Sequence, residues 1–152
     1  MVRYGLYSCR LGTLVVGWED CAVISLKLLE NPACIHEPSP VSDLAACQIA
    51  EYLDGRRKEF NFPISVTGTP FQMAVWQAIR QIPYGETRTY SQISAMIGNP
   101  RAVRAVGQAA NRNPVWIGIP CHRVVGKDQA LTGYAGGLQT KLALLQLEAN
   151  NP

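Results

Sequence analysis

The apolar positions near the start of the chain predict a pair of antiparallel strands. Residues 11–18 and 22–29 are rich in Val, Ile and Leu, and only the polar pair Glu19-Asp20 separates the two runs. A short polar break between two such runs is typical of a hairpin. We therefore expect the chain to begin with a small antiparallel sheet.

A helix and a further strand are predicted next. Residues 31–40 contain three prolines and are expected to form a loop, after which Ser39 suits an N-cap and Pro40 suits a first helical position. This helix is expected to end at Gly55. Its expected inward-facing residues are Leu44, Cys47 and Leu53. Apolar side chains then recur at every second position, as in a strand, at Phe60, Phe62, Ile64 and Val66.

The second half of the chain is predominantly helical in its pattern. Thr69 and Pro70 begin a helix as Ser39 and Pro40 do. Its apolar residues at helical spacing are Phe71, Ala74, Val75, Ala78, Ile79 and Ile82. Thr89 and Gln92 form a capping box for a short helix that Gly98 ends.

A further helix is predicted from Asn99-Pro100 to about Ala110. Two short helices joined by so tight a turn resemble a helix-turn-helix, a spacing that many other helical hairpins share. After Asn113-Pro114, an apolar run over residues 115–120 leads to Cys121, and a glycine-rich loop ends at Gly136-Gly137. The last helix is expected to bury a face formed by Leu138, Leu142 and Leu145.

The segment Thr67-Gly68-Thr69 marks the expected boundary between these halves. The sequence therefore predicts an α/β protein of two domains. Residues 1–66 would form a sheet-and-helix domain, and residues 67–152 would form a mainly helical domain.

Composition limits the classes of protein that this chain can be. Hydrophobic residues make up 47% of its 152 residues and charged residues 16%, as in a soluble globular enzyme. No apolar run reaches the roughly 18 residues of a membrane helix, and no secretion signal is recognised at the N-terminus. We therefore expect a cytoplasmic protein that does not associate with membranes.

The cysteines argue against disulfides and metal. Their number, five, is odd, and no C-x-x-C pair occurs, so neither a disulfide framework nor a structural zinc site is predicted. No cofactor is expected either. The cysteines are Cys9, Cys21, Cys34, Cys47 and Cys121.

Positive charge is concentrated in the second half of the chain. Residues 1–66 hold six basic and eight acidic side chains, whereas residues 67–152 hold eight basic and three acidic ones. This asymmetry is compatible with contacts to phosphate groups, although proteins that never bind nucleic acid share it.

Cys121 carries the strongest indication of chemistry. A thiol becomes nucleophilic when a nearby imidazole or cation favours its thiolate, and His122 and Arg123 are its neighbours in sequence. These two neighbours could lower its pKa. The alternative is a small core residue at the end of a buried run. A carboxylate would be needed to fix the tautomer of His122, and Glu148 is one of three acidic candidates in this half.

Longer motifs around Cys121 resemble the O6-alkylguanine-DNA alkyltransferases, also called methylated-DNA–protein-cysteine methyltransferases. The motifs are Arg104-Ala105-Val106-Gly107, Asn113-Pro114-Val115, Pro120-Cys121-His122-Arg123-Val124 and Thr132-Gly133-Tyr134-Ala135-Gly136-Gly137. The resemblance extends from about Thr69 to Glu148 and is looser before it. It implies a ribonuclease H-like first domain and a second domain with a helix-turn-helix.

The resemblance also implies a reaction. Cys121 would take the alkyl group from O6 of guanine and keep it, so that each molecule acts once. His122 would be a base acting through a water molecule, and Glu148 would orient it. Tyr90 would form a hydrogen bond to the leaving guanine or protonate it, and Asn113 would brace the turn beneath the thiol.

Further residues are implied to contact DNA or the base. Arg104 would fill the place of the extruded base, and Ala102, Ala105 and Gly107 would allow close approach to the minor groove of double-stranded DNA. The protein would bind as a monomer, with little preference for the DNA sequence. The base pocket would be lined by backbone groups of Cys121 and Val124 together with Tyr134 and Ala135. Lys141 matches a family position near the site. Trp116 stands where the family has smaller residues, which bears on the width of that pocket.

Two other functions remain open from the sequence. One is a DNA-binding module that recognises damage without reacting, although its relatives lack the acceptor cysteine. The other is a cysteine hydrolase that uses Cys121, His122 and Glu148 and turns over repeatedly, which would leave Arg104 without a role.

Overall fold

The computed structural model describes residues 1–152, which divide into two compact units. The sheet unit comprises Met1–Val66 and Pro114–Gly118, and the helical unit comprises Thr67–Asn113 and Ile119–Pro152. The sheet unit thus includes a short segment that the predicted division at residues 66 and 67 assigns to the second domain.

The sheet unit is built on three antiparallel strands and one helix. Its elements are β1 (Arg3–Cys9), β2 (Gly12–Glu19), β3 (Ala22–Leu29) and α1 (Pro40–Leu53). The strands lie in the order β1-β2-β3, with Arg3 paired to Trp18 and Thr13 paired to Leu29. The predicted β2–β3 pair is confirmed. The sequence pattern does not reveal β1, which is held by its ladder with β2.

Helix α1 packs against all three strands. Ser39 caps it as predicted, since its hydroxyl accepts a hydrogen bond from the Ser42 backbone N–H at 3.2 Å. The predicted inward face is wrong at Leu44 and Cys47, which are exposed, whereas Leu53 is buried. The residues that face inward lie at helical spacing on the neighbouring side and are Ala45, Ile49 and Tyr52.

The predicted strand at residues 60–66 is wrong. Only Ile64 forms an isolated bridge, to Val23 of β3, flanked by bonds from Val23 N–H to the Pro63 carbonyl and from Ser65 N–H to the Val23 carbonyl, each 2.9 Å. Pro63 has no N–H to donate, which limits the ladder. A second bridge joins Val115 to Leu26 further along the same strand edge.

The helical unit contains four helices, two short strands and two 3-10 turns. These are α2 (Pro70–Arg80), β4 (Arg88–Thr89), α3 (Tyr90–Met96), α4 (Val103–Asn111), β5 (Val124–Val125) and α5 (Leu138–Asn150), with the turns at Cys121–Arg123 and Lys127–Gln129. Strands β4 and β5 pair in parallel. Helices α2, α3 and α4 pack against one another, and the indole N–H of Trp76 bonds to the Ala109 carbonyl at 2.9 Å.

Capping predictions hold for α2 and α3 and fail for α4. Thr69 and Thr89 both form capping boxes. The residues Asn99 and Pro100 instead lie in a turn closed by the Ala102 N–H and the Asn99 carbonyl at 3.1 Å, with Pro100 at the second position, where its fixed φ is favoured. Helix α4 therefore begins only at Val103, without a side-chain cap.

The predicted inward face of α5 is also wrong. Leu138 and Leu142 are exposed. The buried side chains are Lys141, Leu144 and Glu148, two of which carry charge. Because buried charges require partners, this face indicates a polar site inside the helical unit.

None of the helices combines the length and the apolar content that crossing a bilayer requires.

Candidate active site

Cys121 begins a 3-10 turn in the interior of the helical unit. The turn is closed by the Arg123 N–H and the Pro120 carbonyl at 2.9 Å, and the Cys121 N–H bonds to the Ile119 carbonyl at 2.7 Å. The Cys121 side chain is only 5% exposed. A short turn after an apolar approach therefore fixes the thiol at a defined depth.

Asn113 holds both the thiol and the turn. Its side-chain amide donates to the Ile119 carbonyl at 2.8 Å and to the Cys121 sulfur at 3.0 Å. Asn113 is itself buried. The structure thus brings this predicted brace directly onto the thiol.

The pKa of Cys121 is set by opposing effects. Burial raises the pKa of the thiol above its ordinary value, while the Asn113 hydrogen bond, the Lys141 ammonium and a backbone N–H lower it. Neither His122 nor Arg123 is among the groups that lower this pKa. Both neighbours are engaged elsewhere, because they bind Glu148.

His122 and Glu148 form a buried pair. The His122 ring nitrogen Nε2 and the Glu148 Oε2 are 2.7 Å apart, and both side chains are almost fully enclosed. Burial alone would raise the pKa of Glu148, but hydrogen bonds and charges from His122 and Arg123 outweigh it and lower the pKa to about 2. The carboxylate is thus ionised and accepts only, so Nε2 carries the hydrogen and Nδ1 is the basic nitrogen.

The imidazole of His122 is held in its neutral form. Burial lowers its pKa below the ordinary value; Glu148 opposes this, and the charges of Arg123 and Lys141 add to it. A neutral imidazole in a fixed orientation, next to a thiol in the sequence, is a suitable base for a thiol nucleophile. The catalytic roles that the resemblance implies for His122 and Glu148 stay predictions.

Arg123 is the buried residue whose contact with Glu148 the sequence analysis does not anticipate. It is 6% exposed, and its guanidinium binds both oxygens of Glu148 and the Ile82 carbonyl. Its position inside the motif with Cys121 is the signal that could have identified it. An arginine in a buried turn requires an acidic partner.

Tyr90 and Lys141 meet at one carbonyl oxygen. The Tyr90 hydroxyl donates to the Thr132 carbonyl at 2.9 Å, and the Lys141 ammonium donates to the same oxygen at 2.8 Å. The ammonium also lies 5.9 Å from the centre of the Tyr90 ring. Burial raises the pKa of Tyr90 and lowers that of Lys141. Tyr90 is thus protonated and able to donate.

Three further predicted pocket residues follow the turn, one in β5 and two in the loop that precedes α5. Val124 is fully buried in β5, Tyr134 is 9% exposed, and Ala135 is exposed. Burial and the nearby Cys121 both raise the pKa of Tyr134. Their contribution to a base pocket stays a prediction.

The residues predicted to contact DNA lie on helix α4, except Ala102, which is its N-cap. Arg104 and Ala105 are exposed, and Ala102 and Gly107 are half-buried. A Cβ atom at Gly107 would lie 3.8 Å from the ring of Tyr90, so this helix packs beside the predicted proton donor. Binding of DNA by these residues stays a prediction.

Trp116 belongs to the sheet unit. It is 7% exposed, and its backbone N–H bonds to the Leu26 carbonyl at 2.9 Å. The predicted influence of Trp116 on the width of the base pocket stays a prediction.

All five cysteines are free thiols. Nowhere do three His, Cys, Asp or Glu side chains lie close enough to hold a metal ion.

Known proteins are similar to this chain over nearly all of its length. Residues 70–150 match the 6-O-methylguanine DNA methyltransferase, DNA binding domain. The constitutive methylated-DNA–protein-cysteine methyltransferase of Bacillus subtilis is 54% identical over 158 aligned residues, which cover 97% of this chain and 96% of that protein. The corresponding Methanosarcina barkeri protein is 52% identical, over 82% of this chain and 79% of its own.

A solved structure agrees with the fold. Mycobacterium tuberculosis OGT in complex with DNA superposes with a TM-score of 0.91 at 40% identity, and the match covers 99% of this chain and 94% of that one. The similarity therefore includes the sheet unit as well as the helical unit.

Proposed function

This chain belongs to the methylated-DNA–protein-cysteine methyltransferase family, and from this membership we propose that it repairs DNA by transferring an alkyl group from O6 of guanine to its own Cys121. The observation that carries the proposal is the buried Cys121 thiol, bound by the Asn113 amide beside the oriented His122–Glu148 pair. The product is an S-alkylcysteine, and the protein is used once.

The reaction is a single displacement. The Cys121 sulfur attacks the alkyl carbon, the S–C bond forms, and the bond from that carbon to O6 breaks. The thiol proton passes to Nδ1 of His122 through a water molecule, and the leaving guanine receives a proton from the Tyr90 hydroxyl. Guanine is a poor leaving group as an anion, so both proton transfers lower the barrier.

Tyr90 must change partner for this step. Its hydroxyl donates to the Thr132 carbonyl in the structure, and the entering base would take that hydrogen bond over. The Lys141 ammonium remains on the Thr132 carbonyl, so the loop keeps an anchor when Tyr90 turns. Lys141 also places positive charge near the thiol.

Double-stranded DNA is the proposed partner. Support comes from the DNA-binding domain that matches residues 70–150 and from the complex of the Mycobacterium tuberculosis protein with DNA. Helices α3 and α4 would act as a helix-turn-helix, with α4 in the minor groove and little sequence preference. The base must leave the stack at a cost of a few kcal/mol, and the exposed Arg104 would occupy the vacated place.

The remaining parts of the proposal concern the whole protein. The sheet unit would be a ribonuclease H-like domain. The protein would act as a monomer in the cytoplasm, without cofactor or metal.

A titration with labelled substrate tests the proposal. Protein is mixed with increasing amounts of duplex DNA that carries O6-methylguanine labelled in the methyl group, and label bound to protein is counted. We expect a plateau at about one equivalent. Cys121→Ala should abolish transfer, whereas Cys47→Ala, which changes an exposed thiol, should leave the plateau intact.

Two outcomes would contradict the proposal. Tight binding of the damaged duplex without transfer would indicate a recognition module. Release of many equivalents of product would indicate a hydrolase that turns over.

A further inference from the structure

The Arg123 guanidinium donates hydrogen bonds to two residues, Glu148 and Ile82. Its Nε lies 2.9 Å from Oε1 and 3.2 Å from Oε2 of Glu148, and its Nη2 lies 3.0 Å from Oε2. Its Nη1 donates to the Ile82 carbonyl at 2.8 Å, just beyond the end of α2. A planar guanidinium suits this two-point contact, which the single ammonium of a lysine cannot reproduce.

The contacts of Arg123 leave Glu148 with one orientation. Oε1 accepts from Arg123 and from the Gly85 backbone N–H at 2.9 Å, and Oε2 accepts from Arg123 and His122. Turning the carboxylate would break several hydrogen bonds that are shielded from water. The carboxylate therefore presents a fixed acceptor to the imidazole.

Arg123 also influences the charge of His122. Glu148 and Lys141 from α5, Arg123 and Cys121 from the 3-10 turn, and Tyr84 from the loop after α2 are the titratable groups around this pair. A protonated imidazole would be a second cation on a carboxylate that Arg123 already neutralises. The guanidinium therefore disfavours protonation of His122 while it keeps the carboxylate ionised.

We propose that Arg123 is a positioning residue for the transfer reaction, which fixes Glu148 so that His122 faces the thiol as a neutral base with its hydrogen on Nε2. The inference rests on the role proposed above for His122. A purely structural ion pair would stabilise the fold without setting the tautomer or the charge of the imidazole.

The tautomer and the charge of His122 can be measured directly. The chain has only two histidines, so nitrogen NMR of protein labelled in histidine resolves His122 from His36. Three proteins are compared across pH, namely the wild type, Arg123→Met and Arg123→Lys. Arg80→Met, which changes an exposed arginine of α2, is the matched control.

The expected result is a change in protonation. In Arg123→Met the cation is lost, and His122 should become protonated at a higher pH than in the wild type. In Arg123→Lys the charge remains but the two-point contact is lost, so the hydrogen on Nε2 should be less strongly preferred. Arg80→Met should behave as the wild type does.

The same proteins are assayed for transfer from free O6-benzylguanine, which needs no contact with DNA. For Arg123→Met we expect a loss of roughly 10-fold to 100-fold at pH 7 that diminishes as pH rises, and a smaller loss for Arg123→Lys. A loss that is equal at every pH, with the tautomer and titration of His122 unchanged, would overturn the positioning role.

Two precautions keep the test decisive. Should Arg123→Met not fold, the tautomer of His122 in Arg123→Lys decides alone, and an unchanged preference for Nε2 overturns the inference. The methyl transfer stoichiometry of the wild type is measured separately. A wild type without transfer would refute the proposed function, whereas an unaltered His122 in the variants would refute only the role of Arg123.

Discussion

The side-chain amide of Asn113 donates a hydrogen bond of 3.0 Å to the sulfur of Cys121. The second bond of the same amide, to the Ile119 carbonyl, fixes its direction, so the donor remains in place when the thiol loses its proton. A donor aimed at a sulfur favours the thiolate. This contact opposes the effect of burial, which raises the pKa of Cys121.

Asn113→Ala should therefore raise the pKa of Cys121 and slow alkyl transfer. A hydrogen bond to a charged group contributes about 1.5–3 kcal/mol, so we expect a loss of roughly 10-fold to 100-fold. The measurement is the rate of transfer from free O6-benzylguanine as a function of pH. Asn150→Ala, at the exposed end of α5, is the control, and an unchanged pH profile in Asn113→Ala would show that the amide does not act on the thiol.

Tyr90→Phe should slow transfer without weakening the binding of DNA. The change removes the hydroxyl that now donates to the Thr132 carbonyl and keeps the ring beside Gly107. Loss of a proton donor costs on the order of 100-fold or more. Single-turnover rates and the Kd for duplex DNA are measured together, with Tyr4→Phe in β1 as the control. Equal rates for Tyr90→Phe and the wild type would exclude the hydroxyl as donor.

Arg104→Ala should slow repair of a base in duplex DNA without slowing the transfer reaction itself. Arg104 is exposed on α4, and the hydrogen bond to the Cys121 sulfur comes from Asn113, so reaction with free O6-benzylguanine should be unaffected. Repair of duplex DNA should be slower because the vacated place in the stack would not be filled. Arg80→Ala controls for loss of positive charge, and an equal loss on both substrates would contradict the role.

Local chemistry accounts for the parts of the fold that the sequence predicts well. Ser39, Thr69 and Thr89 cap helices within three residues of themselves, so the pattern contains all that is needed. The start of α4 shows the limit of such patterns, because Asn99 and Pro100 suit a turn as well as a helix start. Only the surrounding packing selects the turn.

Partners that are distant in sequence account for the failures. The prediction for α5 relies on the spacing of its leucines. In the structure Lys141 and Glu148 are buried instead, because Lys141 bonds to the Thr132 carbonyl and Glu148 bonds to Arg123. In the candidate site, the motif resemblance identifies Cys121, His122 and Glu148 as catalytic candidates. It does not reveal that Arg123 binds the carboxylate, since the motif leaves open where the Arg123 side chain points and only the folded chain brings it onto Glu148.

Glu148→Gln should lower the free energy of unfolding at neutral pH. The free energy of unfolding of the variant should also change less than that of the wild type as the pH falls. The pKa of Glu148 is lowered from 4.5 to about 2 in the folded protein, so its stabilisation is present above about 4.5 and is lost as the pH falls toward 2. The buried neutral His122 acts in the same direction, because its lowered pKa means that acid favours the unfolded state. Removing the carboxylate leaves Arg123 buried without its anion, at a cost of about 3–5 kcal/mol at pH 7. Urea unfolding measured from pH 7 to pH 2 should show the free energies of unfolding of the two proteins converging in acid.

Glu86→Gln is the control, which loses only the exposed pair with Arg88. It should cost about 0–1 kcal/mol and follow the wild-type profile. A constant gap between Glu148→Gln and the wild type at every pH would mean that the carboxylate is not held ionised by its partners.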